Sequence, residues 1–260
     1  MNLWPARRIF FVSSPIIAFL LQFPPIVEGL LQNSAIIVAD ELSGKLDVFG
    51  FPGTNDWDLA KPVRFASDWQ GKNEDIGRET EVRALWTTNM LFLKFTCRYR
   101  TITVFHDGDP NGRRDQLWDR DVAEVFLQPD PEQPRRYWEF EVSPNGMWID
   151  LEIAPGGRRD AESGMKSRAI LDENKKLWTA MLALPMRVLT KRFDPSAEWR
   201  VNFFRVEGVA EPRFYSSWRP THTPQPNFHV PEVFGVLRFQ KSGERSATWA
   251  KKDRLASVED

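Results

Sequence analysis

From about Ala39 to Gln240 apolar residues recur at every second position, in short runs separated by turn residues. A period of two is the signature of strands, whose side chains point alternately to the two faces of a sheet. TEVRALWT (80–87) alternates Val82, Ala84 and Trp86 with charged or small residues. Thr88-Asn89 then offers a turn, and LFLKFTCRY (91–99) places Leu91, Leu93, Phe95, Cys97 and Tyr99 on one face. The two runs read as a hairpin. YWEFEVS (137–143) sets Trp138, Phe140 and Val142 against Glu139, Glu141 and Ser143. Asn145-Gly146 makes a hairpin turn, and MWIDLEI (147–153) returns with Met147, Ile149, Leu151 and Ile153 aligned. LWTAMLAL (177–184), EWRVNFFRVEG (198–208) and FGVLRF (234–239) continue the theme, and only Pro185 to Leu189 suggests a helical turn. The pattern predicts an all-β fold, a β-sandwich of antiparallel strands of immunoglobulin- or jelly-roll-like type. It spans residues 39–240 as one domain, with no repeat and no linker inside it.

The two ends differ from this region. Residues 1–38 place an apolar stretch after Arg7-Arg8, broken by Pro15 and by Pro24-Pro25. Basic residues followed by an apolar run suit a signal peptide or a loosely folded extension, while the prolines and Glu28 make a poor membrane span. A signal peptide implies a secreted or periplasmic protein; without one the expectation is cytoplasmic. Residues 241–260 are polar and aperiodic, as a flexible tail is. The formal charge of -1 gives no basic stripe for a nucleic-acid partner. A single cysteine, Cys97, excludes an internal disulfide and a cysteine zinc site, and its place in a strand suits an inert core thiol. Nothing in the sequence sets the oligomeric state.

Glu124 is the position that draws attention. It stands in the middle of the apolar run VAEVFL (122–127), where a carboxylate costs several kcal/mol unless something pairs with it. The expectation is a polar pocket in which Glu124 accepts hydrogen bonds from ligand hydroxyls, from Arg205, or from both, since a guanidinium fork suits a carboxylate. Glu139 and Glu141 share a strand face, and paired carboxylates can hydrolyse glycosides. No nucleophile elbow, phosphate loop or HExxH zinc motif accompanies them, so an enzyme is the weaker reading. DGDPNG (107–112) matches the opening of a calcium loop through Asp107, Asp109 and Asn111. Its twelfth position is Trp118 rather than the required Glu, so calcium is optional and no cofactor is required. His106, His222 and His229 show no metal-ligand spacing. A haem ligated by His229 with Met147 or Met181 has no support from spacing.

The chain has 11 Trp and 19 Phe against 3 Tyr. Trp118 stands where a loop gives way to a strand, and Trp218 and Phe228 lie in a proline-stiffened connection near the C-terminus. Two aromatic faces on loops at one end of a sandwich can clamp a sugar ring, whose C–H faces are apolar and whose hydroxyl rim wants carboxylate, amide and guanidinium partners.

LWDRDVAEVFLQPD, YWEFEVSPNGMWIDL, WRVNFFR, SSWRPT and FHVPEVFGVLRF occur in an order that resembles the family 9 carbohydrate-binding modules, of the DOMON-like sandwich superfamily whose members bind sugars or haem. The resemblance spans about Ala39 to Phe239 and is to free-standing members rather than to modules attached to a xylanase. It implies non-catalytic, lectin-like carbohydrate binding, with a sugar stacked between two aromatic side chains. Trp118 matches the first family tryptophan, Phe228 stands at the second, and Glu124 matches a ligand-contacting glutamate. Glu141 and Ser143 stand where the family pattern has an arginine and an asparagine. The expected ligand-binding set is thus Trp118, Glu124, Glu141, Ser143, Asn145, Arg205, Trp218 and Phe228, with a saccharide as partner. The alternatives are a haem- or redox-cofactor-binding DOMON-type domain and a carbohydrate-active enzyme that uses the paired carboxylates.

Overall fold

A computed structural model describes residues 35–243. The expectations for a signal peptide and for most of the C-terminal tail fall on residues 1–34 and 244–260, outside the described residues.

Thirteen strands carry the fold of the described residues. The first four are β1 (Ile36–Glu41), β2 (Val63–Phe65), β3 (Thr80–Trp86) and β4 (Met90–Arg98). Next come β5 (Val122–Gln128), β6 (Tyr137–Val142), β7 (Trp148–Ala154), β8 (Gly157–Asp160) and β9 (Lys166–Asp172). The last are β10 (Leu177–Pro185), β11 (Trp199–Glu207), β12 (Phe214–Ser217) and β13 (Gly235–Gln240). Two short helices, α1 (Thr54–Leu59) and α2 (Met186–Leu189), interrupt them, the second at the helical turn expected from the sequence. The strands are hydrogen-bonded in the order β8-β7-β6-β5-β11-β13-β1-β3-β4-β10-β9, with β12 added on β11 and β2 on β3.

This path curls back on itself into a sandwich. Phe95 of β4 meets Phe203 of β11 with ring centroids 5.8 Å apart, and Arg205 of β11 lies 5.0 Å over the Trp178 ring of β10. The main core fills the space between the halves. Ala123, Val125 and Leu127 of β5, with Phe140 and Val142 of β6, enter it from one side, and Leu91, Leu93, Phe95 and Cys97 of β4 from the other. Burial there pushes the Cys97 thiol up to about 11, which keeps it a neutral core group.

Both expected hairpins are present. In β3–β4, Thr87 and Met90 exchange backbone hydrogen bonds at 2.8 and 3.3 Å. In β6–β7, Ser143 N–H donates to Met147 at 2.8 Å, and Gly146 takes a φ of +88°, a conformation that favours glycine. One strand departs from the expected antiparallel pairing. β1 runs parallel to both of its neighbours, β13 and β3, and it starts at Ile36, three residues before the expected boundary.

The outer face of the β7-β6-β5-β11 half is also covered. Ile149, Leu151 and Val206 pack there with Leu117 and Met147, while Phe126 and Phe204 pack with Tyr137 and Phe234. Every residue of β5 is therefore buried, on both faces. That explains its unbroken apolar run, and it places Glu124 between a sheet and an outer apolar layer.

Candidate functional site

A cavity of about 380 Å³ opens on this outer layer. Strand register builds its floor. Glu124 of β5 lies opposite Glu141 of β6 and Phe204 of β11, and Phe126 lies opposite Glu139. With a period of two, Glu124, Phe126, Glu139 and Glu141 all project outward while Val125, Phe140 and Val142 project into the core. Loops raise the walls. Trp118 comes from the short 3₁₀ turn Leu117–Asp119 before β5, and Asn227, Phe228 and His229 come from the proline-rich connection before β13. Arg158 of β8, Arg213 just before β12 and Tyr215 of β12 add to the lining.

Each wall residue is held in place. Phe228 stacks on Phe204 with centroids 4.2 Å apart and planes 15° off parallel. His229 Nδ1 hydrogen-bonds the Tyr137 hydroxyl at 2.8 Å. The Arg158 guanidinium sits 4.4 Å from the Trp118 ring centroid. Arg213 donates to the carbonyls of Trp118 at 2.7 Å, Arg120 at 3.1 Å and Gly208 at 2.9 Å, which ties the Trp118 turn to β12.

The floor is chemically unusual. Glu124, Glu139 and Glu141 are 2%, 4% and 0% exposed, and one oxygen from each lies within 4.8 Å of the others. Both oxygens of Glu141 and Oε2 of Glu139 are buried without a hydrogen-bond donor from any N–H or O–H group. A hydrogen bond between these two carboxyls requires one of them to be protonated. No Lys, Arg or His nitrogen of the described residues forms an ion pair with any of the three. Burial is the largest influence and holds the Glu124 and Glu141 carboxyls well above the usual carboxylate range. The negative neighbours add to it: Glu139 for Glu124, and Glu124 with Glu139 for Glu141. Glu139 is raised as well, again chiefly by burial, against which Glu141 as a hydrogen-bonding partner and the more distant His229 and Arg158 work.

Other buried acids of the sandwich look different. Asp150 accepts from Arg113 at 3.2 Å and from Ser163 N and Oγ at 2.8 and 2.6 Å. Glu152 pairs with Arg159 and with Arg136, and Glu207 pairs with Arg78 at 3.0 Å. Each of these acids has an arginine in contact; at the trio Arg158 and Arg213 line the same cavity but neither forms an ion pair with a floor carboxyl.

Of the residues expected from the sequence, Trp118, Glu124, Glu141 and Phe228 come together in this cavity. The others do not. Arg205 is one register position from facing Glu124: it lies opposite Ala123 and so points into the core. There it pairs with Glu207 at 3.4 Å and Asp121 at 4.0 Å, and the expected Glu124–Arg205 pair does not form. Trp218 is 1% exposed and packs on Phe203 with centroids 5.5 Å apart, a core residue rather than a platform. Ser143 is buried in the turn that ends β6, off the cavity lining. Asn145 fixes that turn by donating to the Phe105 carbonyl at 2.8 Å.

Asp107 pairs with Arg114 at 3.2 Å and Asp109 closes a local turn through its carbonyl. Asn111 takes a φ of +71° and accepts from Trp148 Nε1 through its own carbonyl at 2.9 Å. Neither Asp107 nor Asp109 belongs to the convergent acidic group found among the described residues, which is the glutamate trio. Met147 and Met181 lie in separate clusters, each packed by apolar neighbours, so neither shares a cavity with His229.

Glu139, Arg158, Arg213, Tyr215 and Asn227 also line the cavity and lie outside the set expected from the sequence. Glu139 had a signal, because period two puts it on the face of Glu141, and Arg213 and Tyr215 share a face by the same rule. Arg158 had none: GRRD (157–160) is a wholly exposed strand without apolar alternation.

Residues 69–239 match the family described as carbohydrate-binding family 9. An extracellular protein of Arthroderma benhamiae is 23% identical over 179 residues, 62% of this chain and 78% of its own length. The human UPF0462 protein C4orf33 is 29% identical over 141 residues, 51% of this chain and 65% of its own length. Among solved structures, a candidate carbohydrate-binding protein of Bacteroides uniformis superposes with a TM-score of 0.63 at 17% identity, over 79% of this chain and 99% of the other. A family 9 carbohydrate-binding module of Caldicellulosiruptor kristjanssonii in complex with glucose superposes at 0.55 and 13%, over 79% and 96%. The two solved structures share the fold, and the match over residues 69–239 covers well over half of the sequence: the chain belongs to carbohydrate-binding family 9.

Proposed function

We propose that this protein binds carbohydrate without cleaving it, holding one sugar residue in the cavity between Trp118 and Phe228. The observation that carries the reading is that these two half-buried aromatic residues, from loops more than a hundred positions apart, line one cavity above polar groups. Flat apolar walls suit the C–H faces of a pyranose, and the Glu124 carboxyl, Asn227 and Arg213 suit its hydroxyls. Family membership supports the same reading, as does the glucose complex of the Caldicellulosiruptor module. An enzyme is disfavoured by access. Glycoside cleavage takes two carboxyl groups flanking the scissile bond, one at the anomeric carbon and one at the leaving oxygen, and the oxygens of Glu141 are closed to solvent. Action outside the cell accords with the extracellular relative, and fractionation of the producing culture tests it.

Affinity should be modest, because a small saccharide buries little area and its hydroxyls must be desolvated. Covering one face of an aromatic side chain removes about 100 Å² of apolar surface, about 2.5 kcal/mol at ~25 cal/mol per Å². Trp118→Ala should therefore weaken binding about 60-fold while the protein stays folded. Titration of a mono- and oligosaccharide panel, read by tryptophan fluorescence and calorimetry, is the test. A folded wild-type protein that ignores the whole panel, or a Trp118→Ala variant with unchanged affinity, rules the reading out.

A further inference from the structure

The geometry points to a hard divalent cation held by Glu124, Glu139 and Glu141, one oxygen from each, with its remaining coordination positions directed into the cavity. Three carboxylates whose oxygens lie within 4.8 Å of one another span what such an ion coordinates. Oxygens on opposite sides of Ca²⁺ are about 4.6–5.2 Å apart and those on opposite sides of Mg²⁺ about 4.0–4.2 Å. An all-carboxylate set with no nitrogen or sulfur donor favours Ca²⁺, Mg²⁺ or Mn²⁺ over softer metals.

An independent observation separates this cluster from an ordinary acidic patch. Glu141 is fully buried, and neither of its oxygens has a donor, although Glu124 of the neighbouring β5 and Glu139 of its own strand place carboxyls beside it. Unpaired buried carboxylates are costly enough that proteins pair them or bind metal with them. The fold pairs Asp150, Glu152 and Glu207 with arginines and leaves these three without one. Size then decides among cations. The Glu141 oxygens are closed to a water molecule, hence also to an ammonium group of similar bulk, whereas a bare metal ion is smaller than either. A dication also offsets more of a charge of up to -3 than a single ammonium does.

The site stands on the trio alone. Its use rests on the carbohydrate-binding reading: an ion at the floor would take two vicinal hydroxyls of the sugar clamped between Trp118 and Phe228, in place of the family arginine that Glu141 replaces.

The test starts from the full chain after treatment with chelator. CaCl₂, MgCl₂ and MnCl₂ are titrated separately by calorimetry, with no sugar present, and Tm is followed in parallel. At least one of them should bind at one ion per chain and raise Tm. Glu141→Gln, folded by circular dichroism, should weaken that binding at least tenfold, and the Asp107→Asn/Asp109→Asn double variant should leave it unchanged. Silence of the folded wild type towards all three ions overturns the site. So does unchanged binding in Glu141→Gln, or loss of binding in the double variant. Sugar titrations with and without the ion separate the two readings. An ion that binds while no sugar does defeats the carbohydrate reading only, and sugar binding in chelator with no ion response defeats the cation only.

Discussion

Replacing Glu141 by glutamine keeps the shape of the side chain and removes its charge, so it measures what the carboxylate costs the fold. In chelator the wild-type group is buried among two other carboxyls with no cation in contact, and its folded pKa lies well above the usual value for that reason. The folded state then binds the Glu141 proton more tightly than the unfolded state, where the pKa is about 4.3. The stability this provides is fully present below about pH 4.3 and is lost as pH rises through the folded value. Glutamine does not titrate. Wild type and Glu141→Gln should therefore be nearly equal in stability at pH 4, and the variant should be the more stable at pH 8. Each unit by which burial raises the pKa corresponds to about 1.4 kcal/mol. Protons shared within the trio relieve part of the several kcal/mol that an unpaired buried carboxylate costs, leaving a difference of about 1–3 kcal/mol at pH 8. For a domain of this size that is roughly 2–10 °C in Tm. Urea unfolding at pH 4, 6 and 8, with chelator throughout, gives the difference directly. The carboxyls whose pKa values are lowered, such as Asp75 and Asp194, work in the opposite sense but cancel between the two proteins. A variant less stable than wild type at pH 8, or a difference that does not change with pH, refutes the argument.

Arg205→Ala should destabilise the protein by about 3–5 kcal/mol, because it leaves Asp121 and Glu207 in the core without the guanidinium now 4.0 and 3.4 Å away; denaturant unfolding at neutral pH checks this. Arg213→Ala removes three hydrogen bonds to the carbonyls of Trp118, Arg120 and Gly208. It should lower sugar affinity several-fold by loosening the Trp118 turn, with a stability loss of only about 1–3 kcal/mol, and calorimetry beside thermal unfolding separates the two effects.

Most of the fold was legible because period two is a strong signal wherever one face is apolar and the other polar. The β3–β4 and β6–β7 hairpins, with their turns at Thr88-Asn89 and Asn145-Gly146, follow from alternation and turn chemistry alone. The parallel pairing of β1 was not legible, since IIVADE carries no information about the direction of its neighbours, which lie 40 and 200 positions away. The site divided along the same line. Glu124, Glu139 and Glu141 could be placed on faces by counting, and Trp118 and Phe228 by family resemblance. Arg205 failed by one position of register: NFFR was assigned to the face of Glu124, yet the residue opposite Glu124 is Phe204. A shift of one residue moves a side chain to the other face of the sheet, and register between distant strands is set by packing that no local pattern contains. Trp218 failed for a related reason, because a loop tryptophan that lids the core and one that faces a ligand have the same local sequence.

The resemblance to the family implies an arginine where this chain has Glu141, and the strand register indicates what such an exchange would do. Glu124 and Glu141 are directly opposed across β5 and β6. An arginine there would give Glu124 a fork of donors and leave the pair neutral. With glutamate the same geometry brings three carboxyls together and makes the floor dependent on protons or on a cation from solution. Glu141→Arg tests this reasoning from the other side. The guanidinium is longer than the carboxyl it replaces, and the cavity of about 380 Å³ beside it gives the added atoms room. The variant should lose binding of the divalent ion altogether, because one ligand is gone and a positive charge lies within reach of the other two. In chelator at pH 8 it should be at least as stable as Glu141→Gln, and its sugar binding, measured by calorimetry, should no longer respond to chelator. If a folded Glu141→Arg protein still binds the ion as wild type does, the ion does not sit between Glu124, Glu139 and Glu141, and the charge of this floor has to be balanced by protons alone.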